Sequence, residues 1–511
     1  MKIRATFIGI NRHEHPEIRE LTGARRDATA LWALFSDTLQ DVDATLLVDE
    51  EATKAAINYA MDVALVDAGM DDVAIFCFSG HGTHDHRLVS YDTDCSALAV
   101  TTTSMDELAE RFKKSKARAI LCILDCCFSG GTPAKVLEQS PISRLAESPF
   151  DAITGKGRIL IAASAAHEAA WEQPGTGHGL LTKALIDVLT DTEKAEISLT
   201  SAVDEITTRT RTEAERIGVA QNPVFINHVE GGLVFPRLVP GKRYYKAFPE
   251  RKVQVLSGAI EELAGFGIPP EVVGKWKPRY PAGLNALQLE AVNKHRVLLG
   301  NSLLVVAPTS SGKTLIGEIA ALRSVTDGQK AVFLLPYRAL ANEKYEDFAA
   351  LYGALGIRVA RCTGDYSDQA ALIMSGRYDV ALLTYEMFLA VALSSPTVLM
   401  QLGLVVVDEG QFITDPNRGI VVELLLTLLI RARDQGINPQ FLVLSAVIGN
   451  VNAFDQWLGC EKLVTTERPV PLLEGVLDRS GTYEYLDEKG ERKLEQLLPH
   501  HAIRQRKERP S

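Results

Sequence analysis

The sequence is poor in cysteine and contains no long apolar run. Only 7 cysteines occur in 511 residues, and none form a Cys-x-x-Cys pair, which argues against a zinc ribbon or a disulfide framework. No apolar run approaches the roughly 18 residues that a membrane span requires, and the stretch after the first residues is too short for a signal peptide. The sequence therefore predicts a cytoplasmic protein with reduced thiols and no membrane partner.

Acidic residues outnumber basic residues, and the excess lies in the first half of the chain. The formal net charge is −11, and residues 1–240 contain 23 Lys and Arg against 35 Asp and Glu. A broad basic surface for nucleic acid is therefore not expected in that half. An acidic surface could attract basic peptides, although solubility explains the charge equally well.

Two series of alternating strand-like and helix-like segments predict two α/β domains, each with a parallel sheet. A chain of 511 residues is too long for a single core. The first series covers residues 1–238 and the second covers residues 281–480. Residues 239–280 form a linker that leads into the second domain. Residues 481–511 are a charged tail that we expect to fray.

In the first domain, two short motifs follow strand-like apolar runs. SGHG at 79–82 follows the run 73–78, and DCCFSG at 125–130 follows the run 119–124. Because parallel strands end at the same edge of a sheet, His81 and Cys127 could face each other across a cleft. An imidazole beside a thiol generates the thiolate that acts as a nucleophile. The pattern predicts a cysteine protease with His81 as the base, Cys127 as the nucleophile, and the amides of Gly82 and Cys127 as oxyanion donors.

A metal site is the alternative interpretation of the same region. His81, His84, Asp85 and His86 form an H-x-x-H-D-H pattern. Ligand spacing on an irregular loop is weakly diagnostic, and no second ligand cluster stands out. We therefore expect no metal in the protease domain.

Residues 3–235 resemble the caspase and metacaspase family. The matching motifs are SGHG at 79–82, DCCFSG at 125–130, GLLTKAL at 179–185 and QNPVF at 221–225. The resemblance implies a caspase-like α/β/α sandwich. It also implies that Cys127, the second cysteine of the D-C-C run, is the nucleophile.

The same resemblance places Asp27 and Asp125 in the primary specificity pocket. An acidic pocket would select a substrate with Arg or Lys before the scissile bond. Phe128 stands at the position where metacaspases usually have histidine. We expect this difference to change the shape of the site without loss of the protease chemistry. Ca²⁺ is left open as a cofactor of the protease, but no sequence motif supports it.

The second domain contains a phosphate-loop motif. APTSSGKT at 307–314 follows a strand-like run and opens a helix, the context that such a loop requires. Downstream, VVVDE at 405–409 ends an apolar strand in two carboxylates. Together they predict ATP and Mg²⁺ as cofactors. The predicted nucleotide-binding residues are Thr309, Ser310, Ser311, Gly312, Lys313 and Thr314. Thr314 and Asp408 are predicted to coordinate Mg²⁺, and Glu409 to polarise the attacking water.

Residues 250–478 resemble the first motor domain of superfamily 2 DExH helicases, which implies a RecA-like parallel α/β fold. Gln288 matches the glutamine that reads adenine. LPYRAL at 335–340, TGD at 363–365 and TYE at 384–386 match motifs that track a nucleic-acid strand, so DNA or RNA is an implied partner. Gln411 and Ser445 occupy positions that couple hydrolysis to movement.

Three departures from the helicase pattern are visible. Gln411 replaces the usual histidine, Val447 replaces the usual threonine, and the chain ends soon after the resemblance ends at residue 478. We therefore expect a second motor domain, with its arginine finger, from missing sequence or from another chain. An arginine finger of this class can raise the turnover rate about 10³-fold or more. This chain alone should therefore bind ATP and hydrolyse it slowly.

The combined interpretation is a metacaspase-like endopeptidase fused to a helicase module that gates it in response to nucleic acid, as in defence or stress signalling. One alternative is a nucleic-acid helicase whose caspase-like domain is a scaffold or recruitment module. That alternative would be favoured by loss of His81 or Cys127, and both are present. Another is an ATP-dependent switch without strand movement, which Gln411 and Val447 would fit.

Overall fold

The structure is a computed structural model of the chain. It describes residues 2–126, 157–164, 168–173, 177–229, 233–248, 255–434, 436–446, 453–466, 474–487 and 490–498. Cys127, Phe128 and Val447, which the sequence analysis singles out, lie outside these ranges.

The first half of the chain alternates strands and helices as the sequence predicts. Its strands are β1 Ile3–Gly9, β2 Val42–Val48, β3 Val73–Gly80, β4 Arg87–Leu88, β5 Thr103–Ser104, β6 Ala119–Cys126, β7 Arg158–Ala162, β8 Glu172–Gln173, β9 His178–Gly179, β10 Glu196–Ser198, β11 Val224–Asn227 and β12 Val234–Pro236. Its helices are α1 Ala24–Thr38, α2 Lys54–Met61, α3 Leu98–Thr101, α4 Met105–Lys114, α5 Leu180–Leu189, α6 Leu199–Arg216 and α7 Lys242–Ala247.

Six of these strands form one sheet in the order β11-β7-β6-β3-β1-β2. All neighbours are parallel except β11, which runs antiparallel to β7 at the edge. Every residue of β3 and β6 is buried, which explains why both sequences are nearly continuous apolar runs instead of alternating ones.

Alternate residues of these strands pack into two separate hydrophobic cores. Phe7 and Ile75 belong to one core, together with α1 and α5, whereas Ile8 and Phe76 belong to the other, together with α4. A sheet with a core on each face and helices over both is the α/β/α sandwich that the sequence predicts.

The second half of the chain forms a second α/β unit. Its strands are β13 Leu303–Val306, β14 Lys330–Leu335, β15 Val359–Cys362, β16 Val380–Thr384, β17 Leu402–Asp408, β18 Gln440–Ser445 and β19 Glu461–Val464. Its helices are α8 Pro270–Trp276, α9 Ala286–Asn293, α10 Lys313–Thr326, α11 Arg338–Tyr352, α12 Ala370–Met374, α13 Tyr385–Ser394, α14 Gly419–Asp434 and α15 Phe454–Leu458.

The seven strands form one sheet in the order β15-β16-β14-β17-β18-β13-β19. All of its pairings are parallel, and it too carries a separate hydrophobic core on each face. The predicted RecA-like class of parallel α/β domain is confirmed. Within the described ranges, no helix combines the length and the apolar character that crossing a bilayer demands.

The region predicted to be a charged, frayed tail differs from that expectation. Strands β20 Gly475–Leu477, β21 Thr482–Leu486 and β22 Arg492–Gln496 form a small antiparallel sheet. Its side chains are mostly exposed, and polar residues are mixed with apolar ones, so the apolar periodicity that reveals a half-buried strand is weak here. Turn glycines with positive φ, Gly481 (84°) and Gly490 (77°), connect the strands.

Candidate active site and nucleotide site

The protease motifs meet at the carboxyl ends of two neighbouring parallel strands. In the β3–β6 pairing, Ser79 lies opposite Asp125 and Gly80 lies opposite Cys126. His81 directly follows Gly80, and Cys127, which lies outside the described residues, directly follows Cys126. The sequence prediction that both motifs end on one sheet edge is therefore confirmed as far as Cys126.

A backbone carbonyl fixes the hydrogen position on His81. The Nε2 atom of His81 lies 2.7 Å from the carbonyl oxygen of Arg19, in the loop between β1 and α1. A carbonyl oxygen only accepts hydrogen bonds, so Nε2 carries the hydrogen and Nδ1 keeps its lone pair. Burial lowers the pKa of His81, which favours the neutral ring that a general base requires.

The amide of Gly82 faces away from its neighbouring strand. Gly82 forms a β-bridge with Leu88, in which Val89 donates to the His81 carbonyl at 3.0 Å and Thr83 donates to the Arg87 carbonyl at 2.9 Å. In this pattern the N–H of Gly82 points to the opposite side, and it donates to none of the described residues. Its direction is compatible with an oxyanion donor.

A second histidine, which the sequence analysis missed, lies against the first. The ring centroid of His13 is 5.5 Å from that of His81, and His13 is only 4% exposed. Neither nitrogen of His13 has a hydrogen-bond partner among the described residues, and burial lowers its pKa well below the usual value. His13 thus places a second neutral imidazole against His81.

Asp27 is held by three donors. His178 Nδ1 lies 2.7 Å from its Oδ1, Ser79 Oγ donates to Oδ2 at 2.9 Å, and the amide of Gly179 donates to both oxygens at 3.2 and 3.1 Å. Arg26 Nε donates to His178 Nε2 at 3.2 Å, so the hydrogen of a neutral His178 lies on Nδ1 and points to Asp27.

Asp125 lies beside the same glycine. Thr182 donates to Oδ2 of Asp125 through its amide at 3.0 Å and its hydroxyl at 2.6 Å, whereas Oδ1 accepts from none of the described residues. A Cβ atom at Gly179 would approach this carboxylate to 2.3 Å. Gly179 must therefore remain without a side chain, and it brings the two predicted pocket carboxylates together.

Both carboxylates are more buried than a solvated pocket wall would be, with Asp27 1% and Asp125 6% exposed. Burial raises the pKa of Asp125 to about 7, and the charge of Asp27 adds to this effect. Burial likewise raises the pKa of Asp27 well above its usual value, against the opposing effect of its donors. Burial lowers the pKa of His178 to about 3.

The metal alternative gains no support from the histidines that suggested it. Nε2 of His81 is engaged by the Arg19 carbonyl, and Asp85 accepts from Thr83 Oγ1 at 2.5 Å. Within the described residues, the potential ligands that converge are His15, Glu17 and Cys95 instead.

The phosphate loop follows β13 and opens α10, as predicted. Ser310 and Gly312 have φ values of 63° and 85°, and this left-handed backbone curls the loop so that it can surround an anion. Lys313 Nζ donates to the carbonyls of Ala307 at 2.6 Å and Pro308 at 2.8 Å, which holds the ammonium inside the loop. Thr309, Ser310 and Thr314 are exposed and Ser311 is buried.

Gln288 is fixed against the phosphate loop from the first turn of α9. Its Nε2 donates to the Gly312 carbonyl at 3.1 Å and its Oε1 accepts from the Asn285 amide at 2.9 Å. A Cβ at Gly312 would approach Gln288 Nε2 to 2.5 Å. The close approach of loop and helix therefore depends on this glycine.

Gln411 connects the carboxylates of β17 to the end of β18. Its Nε2 donates to Glu409 Oε2, and its Oε1 accepts from Ser445 Oγ at 3.1 Å and the Ala446 amide at 3.0 Å. Asp408 accepts from Lys344 Nζ at 3.3 Å. Because β17, β18 and β13 are neighbours, both carboxylates and the phosphate loop share one sheet edge.

The predicted strand-tracking motifs also contact one another. Arg338 Nη1 donates to Asp365 Oδ1 at 2.9 Å, which joins the motif at 335–340 to the motif at 363–365. Tyr337 and Tyr366 are 49% and 40% exposed. Exposed aromatic and cationic side chains suit stacking and backbone contacts with a single strand.

The raised pKa of Asp125 predicts a pH-dependent stability. Between its unfolded pKa of 3.8 and its folded pKa of about 7, the folded state binds a proton that the unfolded state has lost. This stabilisation is complete below 3.8 and is lost as the pH rises to about 7. Thermal unfolding should show a larger fall in midpoint from pH 5 to pH 8 for the wild type than for Asp125→Asn.

The matched control for that measurement is Glu205→Gln, which removes an accessible carboxylate paired with Lys194 at 2.8 Å. Its midpoint should follow the wild-type pH dependence. Equal pH dependence of the wild type and Asp125→Asn would contradict the assignment.

Replacing Lys313 should weaken ATP binding. A charge-assisted hydrogen bond contributes about 1.5–3 kcal/mol, so Lys313→Met should raise the dissociation constant of a fluorescent ATP analogue at least about tenfold. The control is Lys294→Met, because Lys294 makes an exposed pair with Glu290 at 2.8 Å on α9. Equal affinity of both variants would exclude Lys313 from the phosphate site.

Comparison with known proteins identifies both halves of the chain. Residues 2–231 match the family model of the caspase domain, and residues 285–454 match that of the DEAD/DEAH box helicase.

Curated relatives of the second half are archaeal helicases. ATP-dependent DNA helicase Hel308 of Caldivirga maquilingensis is 37% identical over 199 residues, which is 39% of this chain and 25% of that protein. The helicases of the same name from Pyrobaculum calidifontis and Thermococcus kodakarensis are 35% and 38% identical, over 42% and 37% of this chain and 29% and 16% of theirs. The similarity thus spans less than a third of each relative. The chain joins a caspase-like domain at residues 2–231 to a DEAD/DEAH box helicase domain at residues 285–454.

Proposed function

We propose that this chain is a metacaspase-like cysteine endopeptidase that cleaves after Arg or Lys and is gated by its helicase domain in response to nucleic acid. The observation that carries the proposal is the bond from His81 Nε2 to the Arg19 carbonyl at 2.7 Å, because it leaves Nδ1 as a base at the edge where β6 ends. A reducing cytoplasm would keep the thiol active, and no disulfide bond joins any two of the described cysteines.

In the proposed reaction, Nδ1 of His81 takes the proton of the Cys127 thiol. The thiolate attacks the carbonyl carbon of the substrate, and the oxyanion accepts from the amides of Gly82 and Cys127. The imidazolium then gives its proton to the leaving amine, and an acyl-thioester remains. Water, deprotonated by His81, hydrolyses the thioester and restores the thiol. The Arg19 carbonyl holds the ring throughout, because it accepts from Nε2 in both protonation states.

Asp27 and Asp125 are proposed to select the cationic side chain of the substrate. Oδ1 of Asp125 accepts from none of the described residues, which leaves an oxygen for a guanidinium or ammonium group. Because the pKa of Asp125 is about 7 without substrate, binding a cation requires loss of a proton. Affinity for such substrates should therefore increase as the pH rises through 7.

In the helicase domain, ATP and Mg²⁺ supply phosphoryl-transfer chemistry when bound. Lys313 would hold the outer phosphates, Thr314 and Asp408 would hold the metal, and Glu409 would orient a water molecule. Gln411 would pass a change at Glu409 to Ser445 through the bonds that it makes to both. DNA or RNA would contact Arg338 and Tyr337, and a second motor domain would complete the site.

Peptide cleavage tests the protease directly. We expect the full chain to cleave fluorogenic peptides ending in Arg or Lys but not in Asp, with KM falling from pH 6 to pH 8 as Asp125 ionises. Cys127→Ala and His81→Ala should each abolish cleavage. Cleavage after Asp, or a KM independent of pH, would contradict the acidic pocket.

The matched control is Cys126→Ala. Cys126 is buried at 3% exposure within β6, so its replacement should leave most of the activity. Equal loss in Cys126→Ala and Cys127→Ala would indicate damage to the strand and remove the assignment of the nucleophile.

Gating predicts that nucleic acid and ATP change the cleavage rate. With a second motor domain supplied, single-stranded DNA or RNA plus ATP should alter kcat at least about threefold, and Arg338→Ala should weaken this response because it removes a proposed phosphate contact. Arg431→Ala, on exposed α14 surface 75% accessible at the side chain, is the control. An identical rate with and without nucleic acid and ATP would exclude gating.

A further inference from the structure

The loop that orients His81 is also one of the parts of the protease domain that contact the helicase domain. This loop, residues 10–23, connects β1 to α1 and is called the β1–α1 loop below. Its Arg19 carbonyl lies 2.7 Å from His81 Nε2. The side chain of the same residue points the other way, where its guanidinium donates to Oγ1 and the carbonyl of Thr397 at 2.6 and 3.0 Å.

The next residue, Glu20, contacts the helicase domain through both its side chain and its backbone. Both terminal nitrogens of Arg358 donate to its carboxylate, and Lys330 Nζ lies 3.5 Å from it. The side chains of Glu20 and Lys330 are 4% and 5% exposed, so these two charges meet away from water. The backbone of Glu20 is held too, since its amide donates to the Ser375 carbonyl at 3.0 Å and its carbonyl accepts from Gln401 Nε2 at 2.8 Å.

In this cluster, the cations that the helicase domain contributes outnumber its anions. The helicase domain supplies two cations, Lys330 and Arg358, and one anion, Asp379, whose Oδ1 lies 2.8 Å from Arg358 Nη2. Glu20 from the protease domain supplies the second anion. Without Glu20, Lys330 (at 3.6 Å) and Arg358 would share the one carboxylate of Asp379, and one of the two positive charges would lack a counter-charge, which is unfavourable away from water. The ion pairs therefore specify where the β1–α1 loop lies.

Further contacts lie along the same loop, and together with the contacts of Arg19 and Glu20 they are called the clamp below. Arg377 Nη1 donates to the His15 carbonyl at 3.1 Å, and Arg12 lies 3.5 Å from Asp379. On the helicase side, Lys330 and Asp379 stand at the amino ends of β14 and β16. The phosphate loop and Asp408 lie at the opposite, carboxyl edge of the same sheet, so the strands connect the two edges directly.

We propose that the helicase domain, through Arg358, Lys330 and Thr397, positions the Arg19 carbonyl that orients the base His81, so that the protease is competent only with the helicase domain docked. This inference rests on the proposed peptidase function and adds its means of regulation. Glu20 and Arg358 are positioning residues, because they act on His81 only through the β1–α1 loop. A displacement of about 1 Å in such a group can cost about 10²-fold in rate.

The test uses the full chain with Glu20→Gln, which removes one charge without changing size, and Thr397→Val, which removes only the hydroxyl. We expect kcat for an Arg-ending peptide to fall at least about tenfold in Glu20→Gln and less in Thr397→Val. KM should stay within twofold, because the pocket carboxylates are untouched. Arg358→Lys keeps the charge but loses the paired bonds, and should fall between Glu20→Gln and the wild type.

Two controls separate positioning from loss of fold. Glu346→Gln breaks the pair that the exposed Glu346 carboxylate makes with Arg361 (3.0 Å) within the helicase domain, and Glu205→Gln breaks a pair with Lys194 within the protease domain. Both should keep the wild-type kcat. Affinity for a fluorescent ATP analogue should be unchanged in all variants, because the phosphate loop lies at the far edge of the sheet.

A second readout needs no peptide. The rate at which iodoacetamide alkylates Cys127, followed by mass spectrometry, reports its pairing with His81, and it should fall in Glu20→Gln but not in Glu346→Gln. If the wild type cleaves no peptide yet this difference persists, the clamp stands and the peptidase proposal fails. Equal alkylation rates and equal kcat in Glu20→Gln and Glu346→Gln would overturn the clamp, as would a KM that rises as much as kcat falls.

Discussion

Parallel strands that are neighbours in a sheet must end at the same edge, and both candidate sites depend on this constraint. Gly80 opposite Cys126 sets the level at which His81 leaves β3. In the other sheet, the order β17-β18-β13 places Glu409, Ser445 and the phosphate loop side by side. A slip of one residue would turn every side chain of a strand to the other face. The two hydrophobic cores of each sheet oppose such a slip, so apolar packing fixes the polar sites.

Burial at the protease site has opposite consequences for acids and bases, and the two effects support each other. Removal of water favours the neutral form of each group. It raises the pKa of Asp27 and Asp125 and lowers the pKa of His13, His81 and His178. The result is a site in which the histidines are neutral and in which a cation beside the carboxylates would favour the loss of their protons. The charge of a basic substrate would thus complete the electrostatics of the pocket.

The sequence predicts the strands, both sheets and the motif residues, because apolar runs, glycines and charged ends are local signals. It does not predict the Arg19 carbonyl, since every residue has a carbonyl and only the tertiary fold decides which one reaches His81. His13 and His178 were missed for a related reason: each is one histidine among 11, and its role depends on contacts with distant segments. The small sheet at 475–496 was missed because its strands mix polar with apolar residues and contain no buried residue.

The contact of the β1–α1 loop with the helicase domain depends on directed polar bonds, unlike the hydrophobic cores. Apolar packing would tolerate small shifts, whereas the fork of Arg358 donates to both oxygens of the Glu20 carboxylate in one orientation. Replacing the whole cluster with apolar residues could give equal or greater stability, so stability alone does not explain its presence. The orientation that the cluster imposes does explain its presence, because Arg19, the residue beside Glu20, is the one whose carbonyl accepts from His81. Ion pairs that are costly to bury but well defined in direction suit a contact that places one backbone oxygen within hydrogen-bond distance of the His81 ring.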